Sequence, residues 1–342
     1  VPGRGLRGAR LAEVARRQSP GEGGAPARPW AVAARIHTTA STVEIGTGIE
    51  ATTGGGGRQR RVVHIDGRPA KSQAALSEHL SVLWLTPRMD RLFAEGATAR
   101  RRFLDRLVFG LDPAHAGRVS AYHHALGERT RLLAKARHGG PGNGDPAWLA
   151  ALENTMTEKG VAVAAARREA AARLNANSAE TSGPFPGAGL EATGMVEDWL
   201  DEGPALAAED RLRQALAASR QADGENGGTG AGPHKSDLKV RHLATGQAAG
   251  QCSTGEQKAL LIAIVLANAR IQATEWGVPP LLLLDEVAAH LDRPRREALF
   301  EEVAALGAQA WLSGTDAAVF SPLKGKARFF GIKDAVISTL AE

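Results

Sequence analysis

The stretch Leu281-Leu282-Leu283-Leu284-Asp285-Glu286 decides the fold class. Four consecutive leucines make a strand apolar on both faces, the pattern of a buried parallel strand in an α/β protein. The two carboxylates fall at its C-terminal edge, where open α/β sheets place their ligands. Adjacent Asp and Glu at that edge suit nucleotide hydrolysis: the Asp holds Mg2+ directly or through water, and the Glu polarises the attacking water. An acidic pair that caps the next helix is the plainer reading of the same two residues.

Upstream, Cys252-Ser253-Thr254-Gly255-Glu256-Gln257-Lys258 stands immediately before an apolar helical stretch, residues 259–271. Ser253 is a good N-cap, and Glu256 three residues on completes a capping box. A helix N-terminus presenting free N–H groups beside a Ser and a Gly is also an anion site suited to a γ-phosphate. Downstream, His290-Leu291-Asp292 ends seven residues after Asp285.

The rest of the 342-residue chain supplies the setting. Its length predicts about two domains or lobes. Hydrophobic residues make up 43% and charged residues 23%, so a sizeable core is expected and global disorder is not. The net charge of +5 permits contact with nucleic acid without establishing it. A single cysteine, Cys252, excludes an internal disulfide framework and a cysteine-based zinc cluster; it reads as a small buried filler, and a reducing cytoplasm is the natural home. The longest apolar run, 259–267, is about half of the roughly 20 residues a membrane-spanning helix needs. The Arg-rich start has no apolar core of a secretory signal.

Residues 1–17 carry five Arg and one Glu and read as a basic helical piece. Residues 30–36, 42–50 and 60–65 are rich in β-branched side chains and alternate with turn-prone stretches, including the glycine run 54–57 and Asp66-Gly67. An antiparallel meander is the simplest account. After Pro87 the period becomes helical, with Phe103, Leu107 and Leu111 four apart and Tyr122, Leu126 and Leu133 continuing the pattern. The glycine-rich segment 139–144 is a loop, and Asp145-Pro146 opens a long helix running to about Leu174. Segments 182–194 and 223–232 read as Gly/Pro-rich connectors around one more helix near 207–217. Residues 91–224 therefore form a helical lobe inserted into an α/β lobe made of 1–90 and 225–342.

The form S-T-G-E-Q, about thirty residues ahead of the Leu-Asp-Glu strand, resembles the signature of ABC-type ATPases in the dialect of the SMC and RecF proteins. Transporters usually carry S-G-G-Q, which disfavours a transporter subunit, and Asp292 stands where ABC-type ATPases have an aspartate at their dimer interface. Further blocks are similar to the RecF family in particular. They are Val82-Leu83-Trp84-Leu85-Thr86-Pro87, then Arg101-Arg102-Phe103-Leu104-Asp105-Arg106, then Gly232-Pro233-His234-Lys235-Ser236-Asp237-Leu238. Residues 306–316, ending Gly314-Thr315-Asp316, resemble the family's terminal strand, with that triplet in place of the switch histidine of transporters.

The resemblance implies an ABC-type, SMC/RecF-like ATPase head with an inserted helical lobe. It implies ATP and Mg2+ as cofactors and an ATP-dependent homodimer on DNA at single-strand gaps. It further implies mediator proteins and a recombinase as partners, with roles in repair, replication restart and the SOS response near the nucleoid. Ser253, Gly255 and Gln257 would meet the γ-phosphate held by the partner protomer, Asp285 would serve Mg2+, Glu286 would orient water, and Asp292 would couple the two sites. His234 and Lys235 face nucleotide or DNA by the same resemblance, unless His234 is a satisfied loop residue. The basic face of Arg100, Arg101, Arg102 and Arg106 is either solvated or meets phosphate.

One departure stands out: the 342 residues contain no G-x-x-x-x-G-K-[ST]. The family carries it on the first strand and helix of the sheet, upstream of where Val1 stands. A start codon assigned too far downstream is the expected explanation, with the motif within about 25 residues upstream in the genomic frame. The apolar surface flanking residues 281–284 is then expected to be exposed. The rival reading is a truncated, non-catalytic DNA-binding or interaction protein that cannot hold ATP.

Overall fold

The computed structural model describes residues 11–15, 30–37, 41–49, 61–71, 73–137, 145–179, 183–289, 291–334 and 336–340. Most of the basic N-terminal piece, the glycine run 54–57, the glycine loop 139–144 and His290 lie outside the described residues. The chain divides into two compact units, Val1–Val82 and Leu83–Glu342.

The first unit holds the expected meander. Strands β1 (Ala31–His37), β2 (Thr42–Ile49), β3 (Arg61–Ile65) and β4 (Arg68–Pro69) pair in sequence order, all antiparallel. Val43, Ile45, Ile49 and Val63 are its buried apolar side chains, and the even spacing within β2 puts its three on one face of the pleat. Asp66-Gly67 forms the tight turn between β3 and β4.

In the second unit, strand β5 (Val82–Leu85) is followed by helices α1 (Ala97–Leu111), α2 (His115–Arg137) and α3 (Pro146–Ala179). Then come strand β6 (Ala188–Thr193) and helices α4 (Met195–Glu202), α5 (Ala205–Ala218) and α6 (Arg220–Asn226). The chain continues through β7 (Asp237–His242), α7 (Thr254–Trp276), β8 (Leu281–Asp285), α8 (Arg293–Ala305) and β9 (Ala310–Ser313). Two short strands, β10 (Phe330–Lys333) and β11 (Val336–Thr339), close it as an antiparallel pair.

The central sheet has the order β5, β8, β9, and β8 runs parallel to β9 with Leu282 opposite Ala310 and Asp285 opposite Ser313. Helix α7 is rich in apolar residues and is buried over most of its surface from Gln257 through Gln272, Ala263 and Arg270 being half-buried. The core around it joins Leu83 and Leu85 of β5, Phe103 and Leu107 of α1, and Leu282 and Leu284 of β8. A second core gathers Tyr122 of α2, Met156 and Ala164 of α3, Val196 of α4 and Leu212 and Leu216 of α5. Helix α3 is about 51 Å long at 1.5 Å per residue. It contributes Met156, Val161 and Ala164 to the second core and Ala170, Ala171 and Leu174 to the first, so one helix ties the two together.

Three expectations change. Residues 281–284 are apolar on both faces, yet only Leu282 and Leu284 are buried; Leu283 is 39% exposed beside its cross-strand partner Trp311, 54% exposed. The apolar surface expected next to this strand is thus present. The connector 182–194 contains β6, paired antiparallel with β7. Gly187 and Gly189 lie against Leu243, whose Cδ1 and Cδ2 would come within 3.0 and 2.9 Å of a Cβ built there. Finally, the connector 223–232 opens as helix α6, because Asp223 accepts from Arg129, Ser219 and the Gly230 N–H and so organises the turn that follows.

Candidate nucleotide site

Local chemistry builds the start of α7. The Ser253 hydroxyl accepts from the Glu256 N–H at 3.3 Å, and the Glu256 carboxylate accepts from the Ser253 N–H at 2.9 Å, closing the capping box. The Ser253 hydroxyl also donates to the Glu256 carboxylate at 2.8 Å. The Ser253 hydroxyl and N–H together hold the Glu256 carboxyl below its usual range. The N–H groups of Thr254 and Gly255, in the first helical turn, have no intrahelical acceptor, and a Cβ built on Gly255 would meet nothing within 4 Å. An anion can therefore approach this end closely. Gln257 points the other way: it is buried and its side-chain amide donates to the Cys252 carbonyl at 2.9 Å. Cys252 is buried as expected, and burial pushes its thiol pKa up.

Strand pairing builds the acidic edge. Because Asp285 lies opposite Ser313, the Ser313 hydroxyl donates to Asp285 Oδ1 at 2.6 Å. The same hydroxyl accepts from the Glu286 N–H at 3.2 Å. Asp285 keeps Oδ2 beside a hydroxyl oxygen, a hard-oxygen set of the kind Mg2+ uses together with water and phosphate oxygens. Glu286 has φ of 50°, a left-handed conformation uncommon outside glycine, and its residue is exposed. Asp292 caps α8, accepting from the Arg295 N–H at 2.9 Å, with its side chain 55% exposed.

Lys258 joins the two parts. Its side chain is 8% exposed, and its ammonium donates to the Glu286 carbonyl at 3.2 Å and the Ala289 carbonyl at 2.8 Å, with Asp90 at 3.5 Å. The structure thus fastens the first turn of α7 to the Asp285-Glu286 turn and the approach to Asp292. Sequence reasoning assigned no role to Ser313 or Lys258, although both lie inside quoted motifs. The missing signal is tertiary: parallel register for Ser313, and burial of an ammonium for Lys258.

The other singled-out residues have structural partners. His234 donates from Nε2 to the Thr229 carbonyl at 2.9 Å, so Nδ1 accepts from the Tyr122 hydroxyl at 2.7 Å. Gly232 has φ of 129°, and a Cβ there would fall 2.2 Å from the Tyr122 oxygen. Of the basic face, Arg100 forks onto Asp237 at 2.8 and 2.7 Å, and Arg101 donates to the Ser236 carbonyl at 2.7 Å. Arg106 lies 4.3 Å over the Trp84 ring, and burial lowers its pKa to about 10. All three have protein partners, with Arg100 and Arg101 half-buried, whereas Arg102 and Lys235 are exposed. Among the described residues no helix is long and apolar enough to cross a membrane.

No family model matches the chain. Individual proteins do. It is 47% identical over 348 residues to the DNA replication and repair protein RecF of Caulobacter vibrioides, covering 100% of this chain and 87% of that protein. To the RecF of Mesorhizobium japonicum it is 46% identical over 339 residues, covering 98% and 85%, and to that of Rhizobium rhizogenes 45% over 333 residues, covering 97% and 84%. Two solved structures of the recombination mediator protein RecF in the RecFOR pathway share the fold. The one described as RecF-ATPrS matches with a TM-score of 0.80 at 20% identity, over 98% of this chain and 85% of that one. The RecF-ATP structure matches with a TM-score of 0.78.

Proposed function

The chain belongs to the RecF family of DNA replication and repair proteins, and we propose that it acts as a DNA-binding ATPase whose ATP-dependent homodimer supports recombinase loading at single-strand gaps. The observation that carries this reading is the junction at Lys258, where an acidic strand end and an open helix N-terminus are held as one body.

ATP and Mg2+, when bound, supply the phosphoanhydride to be cleaved and the neutralisation of its charge. The described residues supply the acidic edge and the helix N-terminus of such a site, and the 342 residues hold no G-x-x-x-x-G-K-[ST]. Asp285 serves the metal through a carboxylate oriented by Ser313. Glu286, exposed on a turn with a pinned backbone, takes the proton of the attacking water. Ser253 and Gly255 present the α7 N-terminus to the γ-phosphate held by the second protomer, which requires the Ser253 hydroxyl to leave Glu256. Gln257 shapes that turn from inside, through the Cys252 carbonyl. Asp292, at the end of the loop held by Lys258, couples the two sites. Residues 1–90 and 225–342 make up the ATPase lobe and 91–224 the helical lobe. DNA, mediator proteins and the recombinase are the partners, and the cytoplasm, at the nucleoid, is the place of action.

The test is Glu286→Gln in the full-length protein. ATP binding should persist and the ATP-bound dimer should accumulate, while turnover falls at least about a hundredfold, the usual scale for a general base. Unchanged turnover would remove Glu286 from this role. A full-length protein that binds DNA but no nucleotide would favour the non-catalytic reading.

A further inference from the structure

An ammonium group is costly to bury unless its N–H groups find acceptors. Lys258 is 8% exposed, and its ammonium donates to the Glu286 carbonyl at 3.2 Å and the Ala289 carbonyl at 2.8 Å and lies 3.5 Å from the Asp90 carboxylate. Two of these acceptors belong to one turn, residues 286–289, and the first belongs to a residue with φ of 50°. Such a conformation persists only where its surroundings over-determine it. Glu286 meets that condition on both sides, since its N–H is held by Ser313 and its carbonyl also accepts from the Ala289 N–H at 3.2 Å.

The lysine is placed to transmit position. It is five residues after Ser253, in the second turn of the helix whose open end carries Ser253 and Gly255. From the same helix it reaches the carbonyl of the residue proposed as general base and the carbonyl three residues before Asp292. A displacement of the start of α7 must move this turn or break the contacts of Lys258. Arg295, in the first turn of α8, lies within electrostatic reach of Glu256, so the α7 start and the segment after Asp292 also feel each other's charge.

We infer that Lys258 is a positioning residue: it holds the α7 N-terminus and the Glu286 turn in one fixed relation within the same protomer, so that Glu286 is aimed by the helix that carries Ser253 and Gly255. This rests on the reading of Glu286 as the general base. The plainer alternative is that Lys258 only stabilises the fold, and the two differ in what its loss changes.

The experiment uses Lys258→Met in the full-length protein, which keeps the aliphatic stem and removes every donor. Three quantities are read: affinity for a fluorescent ATP analogue, kcat with KM, and amide exchange in a peptide covering residues 286–292. Affinity should stay within about twofold while kcat falls at least about tenfold, the mark of an interaction used beyond ground-state binding. Exchange in 286–292 should rise at least about tenfold, with the 254–276 helix unchanged. Lys258→Arg should recover part of kcat. Intact kcat with faster exchange would reduce Lys258 to a structural contact and overturn the inference, as would affinity and kcat lost together. Glu286→Gln, run alongside, separates the two claims. Turnover retained there sinks the reading of Glu286 and the tether with it; turnover lost there but intact in Lys258→Met sinks the tether alone. Should Lys258→Met fail to fold, Asp90→Asn removes the one charge among the three groups around the ammonium. It should move kcat and exchange in the same directions by about threefold, and no movement in either would overturn the inference.

Discussion

The Ser313 hydroxyl donates to Asp285 Oδ1 at 2.6 Å across the parallel β8–β9 pair, and accepts from the N–H of Glu286. One side chain thus orients the carboxylate proposed for the metal and the backbone of the residue proposed as the base. Ser313→Ala should cost about 1 kcal/mol of stability, the usual net worth of a hydrogen bond at a partly exposed site. Hydrolysis by the full-length protein should fall by more than nucleotide affinity does, since the carboxylate is misaimed and not removed. Urea unfolding and steady-state kinetics measure the two effects, and an equal loss in affinity and turnover would contradict this role.

Arg129 tests a different part of the molecule. It is fully buried, donating to Glu153 at 3.0 Å, Asp223 at 2.7 Å, Thr229 at 2.9 Å and the Leu216 carbonyl at 2.7 Å, so it joins α2, α3, α5 and α6. Arg129→Met should destabilise the protein by about 3 kcal/mol, the lower end of what stranding a buried carboxylate costs. Arg220 still serves Glu153, and Ser219 and the Gly230 N–H still serve Asp223. Arg131→Ala, on the same helix but 68% exposed beside Glu128, should cost no more than about 0.5 kcal/mol. Comparable shifts of the urea midpoint in both variants would show that the buried network adds nothing.

Which features were legible in the sequence follows from how local their causes are. The capping box at Ser253 and Glu256 needs only a three-residue spacing, and the meander needs only alternation and turns. The acidic edge is announced by the leucines before it. What escaped depends on distant residues. Residues 188–193 read as loop composition, while their partner strand β7 comes from a later segment. Arg100 and Arg101 read as a charged surface, but their partners, Asp237 and Ser236, come from a segment over a hundred residues later. Ser313 and Lys258 acquire their importance only from the register of β9 on β8 and from the packing of α7.

The contact between Tyr122 and His234 gives a pH-dependent consequence. Burial of the imidazole lowers the pKa of His234 to about 4 from 6.5, partly opposed by its bond to the Thr229 carbonyl and aided by the nearby cations Lys235, His123 and Arg101. The folded state therefore holds His234 neutral where an unfolded chain would bind a proton. Its contribution is complete above pH 6.5 and is lost as pH falls through about 4, with a total on the order of 3 kcal/mol. His234→Asn removes the titrating group. The melting temperature of the parent should fall more steeply than that of the variant between pH 6.5 and 4. Parallel curves would mean that His234 does not titrate in this window.

Ser253→Arg separates nucleotide binding from assembly. The substitution removes the N-cap hydroxyl, which costs about 1 kcal/mol, and places a cation at the helix end where the macrodipole disfavours it. It also fills the open space beside Gly255 that a γ-phosphate from the second protomer would need. In the full-length protein each protomer should still bind a fluorescent ATP analogue, because Ser253 is proposed to meet only the phosphate of the second protomer. ATP-dependent doubling of mass in light scattering, hydrolysis and stable retention on gapped DNA should fail together. Weak, salt-sensitive DNA contact through exposed basic residues such as Arg102 and Lys235 should survive. Glu256→Ala is the control for the cap alone: it breaks half of the capping box while leaving Ser253 in place, so it should lower the melting temperature to a similar degree yet still dimerise with ATP. If Ser253→Arg dimerised normally, or lost nucleotide affinity while folded, Ser253 would act only as the cap of α7. The N-terminus of that helix would then have no partner phosphate to meet.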